Sequence, residues 1–258
     1  MAARAKARRA VGVDIGGTGM KAGVVDLATG ELVTDRVRIP TPANGGPDDL
    51  GPVVGQLMAL LGDEAAGLPI GIGFPGPIVG GRIRTAANLG PGWKDVDGAQ
   101  VFGRFAGAPV VMCNDADAAG VAEMRFGAAR GEGGVVLVLT IGTGIGSAVF
   151  TEGRLVPNTE LGHLMVGSRE AEARASASAR EREGLSWRKW AKQLARVIST
   201  YNALLWPDLV VLGGGVSKRS HDWLPHVQEE VEVPLRVATL QNRAGVVGAA
   251  MIAVEGVG

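Results

Sequence analysis

The chain has 258 residues, of which 46% are hydrophobic and 20% are charged, and its formal net charge at pH 7 is zero. This composition excludes a disordered chain, and the length is enough for one large domain or two lobes. The neutral charge gives no sign of a nucleic-acid or membrane-surface protein. A single cysteine, Cys113, excludes an internal disulfide and a thiolate zinc cluster, and indicates a reducing compartment.

The N-terminal segment 1–10 is basic and lacks the apolar core of a secretory signal. We interpret it as a short solvated tail. No apolar run in the sequence reaches the length needed to span a membrane. We therefore expect a cytoplasmic protein.

Apolar runs bounded by glycine and proline predict a chain of alternating strands and helices. The first run ends at the turn Gly16–Gly19 and a second run follows, which predicts a hairpin. A similar pair of runs flanks the turn Gly142–Gly146 about 125 residues later, which indicates an internal duplication. The predicted strands are 11–15, 22–27, 31–39, 69–74, 109–113, 135–141, 147–150 and 209–212, and the predicted helices are 53–61, 116–126, 186–206 and 244–254, with one more that opens at Gly213–Gly215.

No linker separates two independent domains, so the pattern predicts an α/β protein of two lobes with a central cleft. We expect the N-terminal lobe at 11–115 and the C-terminal lobe at 116–258. The last helix, at about 244–256, carries closely spaced Gly and Ala residues. Such a helix is expected to pack tightly, and we predict that it packs across the lobes.

Three glycine-rich turns follow apolar strands and suit the binding of phosphate groups, because glycine leaves backbone N–H groups accessible to phosphate oxygens. The first turn also offers Asp14 for Mg²⁺, directly or through water, and the hydroxyl of Thr18. Lys21 is either a positive charge beside the phosphates or a solvated strand residue. The predicted phosphate and nucleotide ligands are Asp14, Gly16, Gly17, Thr18, Lys21, Thr140, Gly142, Thr143, Gly144, Gly213, Gly214 and Gly215.

The segments 14–18, 140–146 and 212–218 together resemble the phosphate-1, phosphate-2 and adenosine motifs of the superfamily of sugar kinases, heat-shock proteins and actin. Within it, the chain resembles the family of repressors, open reading frames and kinases, the ROK family, from Val11 to about Ala250. The resemblance implies the actin-like ATPase (ribonuclease H-like) fold, a homodimer, and Mg²⁺-dependent phosphorylation of a sugar.

The resemblance also implies a catalytic base and a set of sugar ligands. The family's Asn-Asp pair matches Asn114 and Asp115, so Asp115 is expected to take the proton from the accepting hydroxyl. A general base contributes about 10²- to 10⁴-fold to the rate. Asp117 is the alternative, although it suits a helix cap. The implied sugar ligands are Asn88, Asn114, Asp115, Glu160, His163 and Glu172.

The family's Glu-x-Gly-His element matches Glu160–His163, but the cysteine-rich zinc motif that follows it in most members is missing here. Cys113 is too isolated to replace that motif. We therefore expect no zinc site and assign His163 to the sugar alone. The chain resembles polyphosphate glucokinases in lacking this motif and in its segments 158–163, 185–187 and 206–208. These enzymes use inorganic polyphosphate, often alongside ATP. Glucose is the expected substrate, with mannose as a second one.

A polymeric phosphoryl donor needs a basic path that leads away from the site. The candidate residues, which equally suit a solvated surface, are Lys94, Arg125, Arg174, Arg180, Arg182, Arg188 and Lys189.

Other functions remain open at this point. The first is a strictly ATP-dependent glucokinase or hexokinase of the same family. The second is a sugar-responsive regulator, but only about ten residues precede the first strand, too few for a helix-turn-helix module. The third is an actin-like filament protein, against which the set of sugar ligands argues. We expect no nucleic-acid or membrane partner.

Overall fold

The structure is a computed structural model that describes residues 9–86 and 89–256. The strands are β1 (Arg9–Gly16), β2 (Gly19–Asp26), β3 (Glu31–Leu32), β4 (Val37–Ile39), β5 (Ile70–Phe74), β6 (Ile78–Val79), β7 (Arg82–Ile83), β8 (Val110–Asn114), β9 (Val135–Ile141), β10 (Ile145–Thr151), β11 (Arg154–Val156), β12 (Met165–Val166), β13 (Arg169–Glu170), β14 (Leu209–Gly213) and β15 (Leu235–Val237). The helices are α1 (Pro47–Leu61), α2 (Gly98–Ala106), α3 (Asp115–Phe126), α4 (Ala171–Ala175), α5 (Ala177–Arg182), α6 (Trp187–Leu205), α7 (Ser220–Gln228) and α8 (Ala244–Glu255). Short 3-10 helices lie at Gly62–Ala65, Leu161–His163, Gly215–Arg219 and Gln241–Arg243.

The chain divides into two compact units. The first contains the described residues up to Ala122 and from Arg243 onward, and the second is Glu123–Asn242. The predicted boundary at 115/116 differs from this division, because the break falls inside α3. The prediction also assigned the last helix to the C-terminal lobe, whereas α8 belongs to the first unit, where its apolar residues pack on β1 and β5.

The first unit is built on a mixed sheet with the strand order β3-β2-β1-β5-β8, and β4 pairs with β2. β1 and β2 form the predicted antiparallel hairpin, and β1, β5 and β8 run parallel. Every residue of β5 is buried, as expected for a central strand that is covered on both faces. The predicted strand 31–39 is instead two short strands, β3 and β4, which both pair with β2.

The second unit repeats this arrangement in a sheet with the order β11-β10-β9-β14-β15. β9 and β10 form an antiparallel hairpin, and β14 runs parallel to β9 and β15. The common order of the two sheets agrees with the internal duplication predicted from the two glycine turns. The amphipathic helix α6 buries Trp190, Leu194, Ile198 and Tyr201 in the core of this unit.

Glycines allow α8 to lie directly on the backbone of the first sheet. A Cβ atom at Gly12 of β1 would overlap the carbonyl of Val246, and one at Gly71 of β5 would overlap the carbonyl of Ala249. Since both carbonyls belong to α8, this helix reaches the sheet without intervening side chains. Among the described helices, none is long and apolar enough to cross a membrane.

We predict that Gly71→Ala lowers the melting temperature by at least about 4 °C, because the new methyl group forces α8 away from β5 and overpacking costs roughly 1–3 kcal/mol. Thermal unfolding followed by circular dichroism measures the shift. Gly133→Ala is the control, since a Cβ atom there would make only an ordinary contact, 3.6 Å from Glu152 Oε2. Equal melting temperatures for the two variants would contradict the close packing.

Candidate functional site

Asp14 lies near the end of β1 and forms an ion pair with Lys21 on β2. The two residues are cross-strand partners, and Lys21 Nζ lies 2.7 Å from Asp14 Oδ2. Their side chains are only 14% and 23% exposed, for Asp14 and Lys21 respectively. Lys21 is therefore not a solvated strand residue. Its charge is directed at the predicted magnesium ligand beside the first glycine turn.

The carboxylate of Asp14 also lies against the N-terminus of α8. A Cβ atom at Gly245, the second residue of that helix, would be 2.8 Å from Asp14 Cγ. The N-terminal N–H groups and the dipole of a helix stabilise an anion in this position. Gly245 was missed by the sequence reasoning, and its only signal there was a glycine at the start of a predicted helix.

The first glycine turn is held from one side by two residues that the sequence analysis did not single out. Thr41 Oγ1 donates to the carbonyl of Gly16 at 2.5 Å, and Arg38 Nη2 donates to the carbonyl of Thr18 at 3.0 Å. Gly17 and Thr18 are exposed. The carbonyls of the turn thus face groups of this chain, and the exposed tip is the part of the turn that can accept a phosphate.

Asn114 and Asp115 lie where β8 ends and α3 begins. The side-chain oxygen of Asn114 accepts hydrogen bonds from the N–H groups of Ala116 (2.8 Å) and Asp117 (3.0 Å), so Asn114 caps α3. Asp115 Oδ1 accepts from the N–H of Ala116 at 2.8 Å. The start of a helix favours a charged carboxylate, which is the form that a general base needs.

The surroundings separate Asp115 from its alternative, Asp117. Asp117 is only 1% exposed, whereas Asp115 is partly exposed. A partly exposed carboxylate can reach a substrate hydroxyl, so the structure favours Asp115. Burial raises the pKa of the neighbouring Cys113 thiol, and the negative charges of Asp117, Asp115 and Asp14 raise it further. Cys113 therefore stays protonated and is unsuited to metal binding.

The second and third glycine turns lie side by side in the second unit, because Thr140 of β9 pairs with Gly213 of β14. Gly214 has a φ of 81°, and a Cβ atom there would collide with the backbone of Ile141. The third turn was predicted to open an α-helix directly. It leads instead into the 3-10 helix Gly215–Arg219, and α7 begins only at Ser220.

The second turn is anchored to α5. The N–H of Gly142 donates to the carbonyl of Gly144 at 3.0 Å, and the N–H of Ala177 donates to the carbonyl of Gly142 at 2.9 Å. A Cβ atom at Gly142 would meet nothing within 4 Å, and Thr143 is exposed. The turn is thus held by its carbonyls and open on the side where a phosphate would bind.

The predicted sugar ligands of the second unit form one cluster around His163. Its Nε2 atom lies 3.8 Å from Glu160 Oε2, and its Nδ1 atom lies 4.0 Å from Glu172 Oε1. Glu170, which the sequence analysis missed, is nearer still, with Oε2 at 3.3 Å from Nδ1. Asn88, the remaining predicted sugar ligand besides the Asn114–Asp115 pair, lies outside the described residues.

The acidic neighbours favour a charged His163. Partial burial lowers the pKa of His163, but the hydrogen bond to Glu170 and the charges of Glu172, Glu170 and Glu160 outweigh it, so the pKa is raised. Burial raises the pKa of Glu160, His163 opposes this shift and Glu172 adds to it. The cluster can therefore both donate hydrogen bonds, from the imidazolium, and accept them, on carboxylate oxygens.

Backbone contacts fix the cluster in the second unit. The N–H of Ile145 at the start of β10 donates to Glu172 Oε2 at 3.4 Å. Gly162 lies so close to the carbonyl of Ile145 that a Cβ atom would overlap it. Tyr201 on α6 donates from its hydroxyl to the carbonyl of Leu161 at 2.7 Å. The 3-10 helix Leu161–His163 is thereby held between β10 and α6.

Three side chains of this cluster could together hold a metal ion. One atom each of His163, Glu170 and Glu172 lies within 4.8 Å of the others. A histidine must lose its proton to bind a metal, and the raised pKa of His163 opposes that loss. The absence of zinc stays a prediction. It is worth testing because this group of side chains could hold a metal ion.

The candidates for a basic path differ in their exposure. Arg174 is a correction, because it is only 6% exposed and donates to the carbonyl of Val166 and to Gln193 Oε1. All three nitrogens of its guanidinium group donate hydrogen bonds within the second unit. Arg180 is partly exposed, and the exposed candidates are Lys94, Arg125, Arg182, Arg188 and Lys189.

Comparisons with known proteins identify the family of the chain. The profile of the ROK family matches residues 10–178. The polyphosphate glucokinase of Mycobacterium tuberculosis (strain CDC 1551 / Oshkosh) is 43% identical over 248 residues, which cover 96% of this chain and 92% of that protein.

Two crystal structures share the fold of the whole chain. The inorganic polyphosphate/ATP-glucomannokinase of Arthrobacter sp. strain KM has a TM-score of 0.92 at 45% identity, covering 96% of this chain and 98% of that one. A ROK family glucokinase of Streptomyces griseus, in complex with glucose and AMPPNP, has a TM-score of 0.82 at 25% identity, covering 96% and 100%. The chain therefore has the predicted actin-like ATPase fold. With its family profile and these relatives in agreement, it belongs to the ROK family.

Proposed function

We propose that the chain is a glucokinase that transfers a phosphoryl group from inorganic polyphosphate or ATP to the 6-hydroxyl of glucose. The observation that carries the proposal is the placement of Asp115, a partly exposed carboxylate at the first residue of α3. The polyphosphate glucokinase and the glucomannokinase among the relatives support the two donors. The name of the second relative also supports mannose as a further substrate.

Asp115 is the proposed general base. A sugar hydroxyl is a weak nucleophile at neutral pH, so its proton must leave as the phosphoryl group arrives. The N-terminus of α3 stabilises the ionised carboxylate before the reaction. Because Asn114 caps the same helix with its oxygen, its proposed contact to the sugar is a donation from the amide nitrogen.

Glu160, His163 and Glu172 are the proposed ligands of the other sugar hydroxyls, with Asn88 as a further one. Carboxylates accept hydrogen bonds from hydroxyl groups, and a charged imidazole donates them to hydroxyl oxygens. A sugar bound in this way would form hydrogen bonds with charged side chains that lie close together, since His163 is 3.8 Å from Glu160 and 4.0 Å from Glu172. The cluster therefore gives a physical reason for selecting a polyhydroxylated substrate.

The three glycine turns are the proposed phosphate sites. Asp14 is the residue that would hold Mg²⁺, and its carboxylate oxygens are of the type that this ion prefers. When bound, Mg²⁺ supplies positive charge to the oxygens of the transferring phosphoryl group. Lys21 Nζ lies 2.7 Å from Asp14 Oδ2, so its ammonium group places a positive charge beside the first turn. We further propose a homodimer, as the family resemblance implies. From the sequence and its neutral net charge we propose a cytoplasmic protein without nucleic-acid or membrane partners.

We predict that Asp115→Asn lowers kcat by about 10²- to 10⁴-fold and changes glucose affinity by only a few-fold, because the amide keeps the shape but cannot accept the proton. Initial rates and calorimetric glucose titrations measure the two quantities. Asp97→Asn, the same exchange at the cap of α2, is the control and should be active. Asp115 is not the base if its variant keeps more than about a tenth of the wild-type kcat.

We predict that activity requires Mg²⁺ and that the purified protein holds no zinc. The raised pKa of His163 opposes the loss of the proton that metal binding requires, and no cysteine among the described residues lies in its cluster. Elemental analysis after dialysis measures the zinc content. About one zinc per chain that is lost in His163→Gln would show that the cluster binds metal, and the exclusive assignment of His163 to the sugar would be wrong.

We predict that polyphosphate is a donor and that its KM rises more steeply with salt concentration than the KM for ATP. A long polyanion that contacts several cations releases more counterions than one nucleotide does. Initial rates at several salt concentrations give both slopes. Phosphorylation of glucose from ATP, but from polyphosphate of no chain length, would leave a strictly ATP-dependent glucokinase.

A further inference from the structure

Three tryptophans of the second unit form a column that connects two arms of the chain. The ring of Trp190 makes edge-to-face contacts with Trp187 and with Trp223, each with 5.6 Å between ring centres. The indole N–H of Trp190 donates to the carbonyls of Ala175 (3.0 Å) and Ser176 (3.2 Å). Ser176 caps α5, so this arm is fixed to the column just before that helix begins.

The other arm is the 3-10 helix Gly215–Arg219. The indole N–H of Trp223 donates to the carbonyl of Val216 at 3.1 Å. Because these three hydrogen bonds come from the buried rings of Trp190 and Trp223, the spacing between the two arms is set by the core of the unit.

Each arm carries an arginine to the same ring. The guanidinium carbon of Arg180 on α5 lies 3.7 Å from the centre of the Trp187 ring, and that of Arg219 lies 5.3 Å from it. Both distances are within the range of a cation–π contact. The two guanidinium carbons are thus no more than about 9 Å apart, since their separation cannot exceed the two distances joined.

Both arms begin at turns predicted to bind phosphate or nucleotide. α5 starts at Ala177, whose N–H donates to the carbonyl of Gly142 in the second glycine turn at 2.9 Å. The 3-10 helix that ends at Arg219 starts at Gly215 in the third turn. A phosphate chain bound by these turns therefore has one arginine of the pair on each adjoining arm.

The charge on the pair is only partly neutralised. Arg180 has no carboxylate within ion-pair distance among the described residues, and its Nε atom is buried there without a hydrogen-bond partner. Arg219 pairs with Asp222, with 2.6 Å between Nε and Oδ2, and its side chain is 61% exposed. A cation–π contact at a surface contributes little free energy by itself, so it is a weak reason to hold two like charges on one ring.

We infer that Arg180 and Arg219, held on Trp187, bind the part of a polyphosphate chain that extends beyond the phosphates at the glycine turns. This inference rests on the proposed function. Guanidinium groups bind phosphate oxygens with paired N–H donors, so two of them on one ring suit a chain of linked phosphates. The same pair would add little to the binding of a nucleotide, whose phosphate chain is short.

The test compares wild type with the double variant Arg180→Gln/Arg219→Gln. We expect the ratio of the KM for long-chain polyphosphate to the KM for ATP to rise at least about tenfold. The slope of log KM for polyphosphate against log salt concentration should fall by roughly 1 to 2, one unit for each lost cation. The preference for long over short polyphosphate should shrink as well. Circular dichroism and glucose titration verify folding.

The control is Arg104→Gln/Arg154→Gln, which removes two positive charges from exposed positions outside the site and should behave as wild type. If wild type uses polyphosphate and the Arg180/Arg219 variant keeps its KM ratio and salt slope, the inference is wrong and the proposed function stands. If wild type phosphorylates glucose from ATP but neither uses nor binds long-chain polyphosphate in a direct titration, the inference and the polyphosphate donor are both wrong.

Discussion

The backbone contact between α8 and the first sheet is the constraint on which the proposed catalytic and magnesium-binding residues of the first unit depend. It exists only because Gly12 and Gly71 lack side chains. Its consequence at one end of α8 is that the helix N-terminus lies against Asp14, where Gly245 leaves room for the carboxylate. The geometry of the proposed magnesium ligand is thus a result of helix packing.

The same helix also positions α3. A Cβ atom at Gly248 would overlap the carbonyl of Ala118, so α8 and α3 touch through their backbones. Asp115 is the first residue of α3 and follows β8, which is joined through β5 to β1 in one parallel set. Strands and helix together therefore fix the proposed base at the carboxyl edge of the sheet, where open α/β sheets bind their ligands. The second unit uses the same device at Gly162 and Gly214, each of which lies against the backbone of the β9–β10 hairpin.

Much of this organisation could be predicted from the spacing of apolar residues and glycines. Both hairpins, the parallel strands β5, β8 and β14 and the glycine turns lie where the pattern places them, because backbone conformation there is a local property. The position of Asp115 was predicted from a motif resemblance, and the structure adds the physical reason that it starts a helix. The prediction of one strand at 31–39 was wrong. The structure has two short strands there, β3 and β4, because pairing with β2 and not local preference decides where each strand ends.

The remainder depends on contacts that no local pattern contains. Arginine is usually found at the surface, yet Arg174 is buried because the carbonyl of Val166 and the side chain of Gln193 accept hydrogen bonds from its guanidinium group. Glu170 faces His163 only because β12 and β13 form a hairpin next to it. The break between the units inside α3 likewise follows from where α8 packs, which the chain order does not reveal.

Phosphorus NMR of a mixture of the protein, Mg²⁺, glucose and long-chain polyphosphate, with a parallel mixture that contains ATP, tests the central claim most directly. The proposed function predicts a sugar phosphate monoester whose phosphorus couples to the protons on carbon 6, from each donor and only when glucose is present. Release of inorganic phosphate at a rate independent of glucose, with no sugar phosphate from either donor, would contradict it and would instead indicate a phosphohydrolase on the same fold.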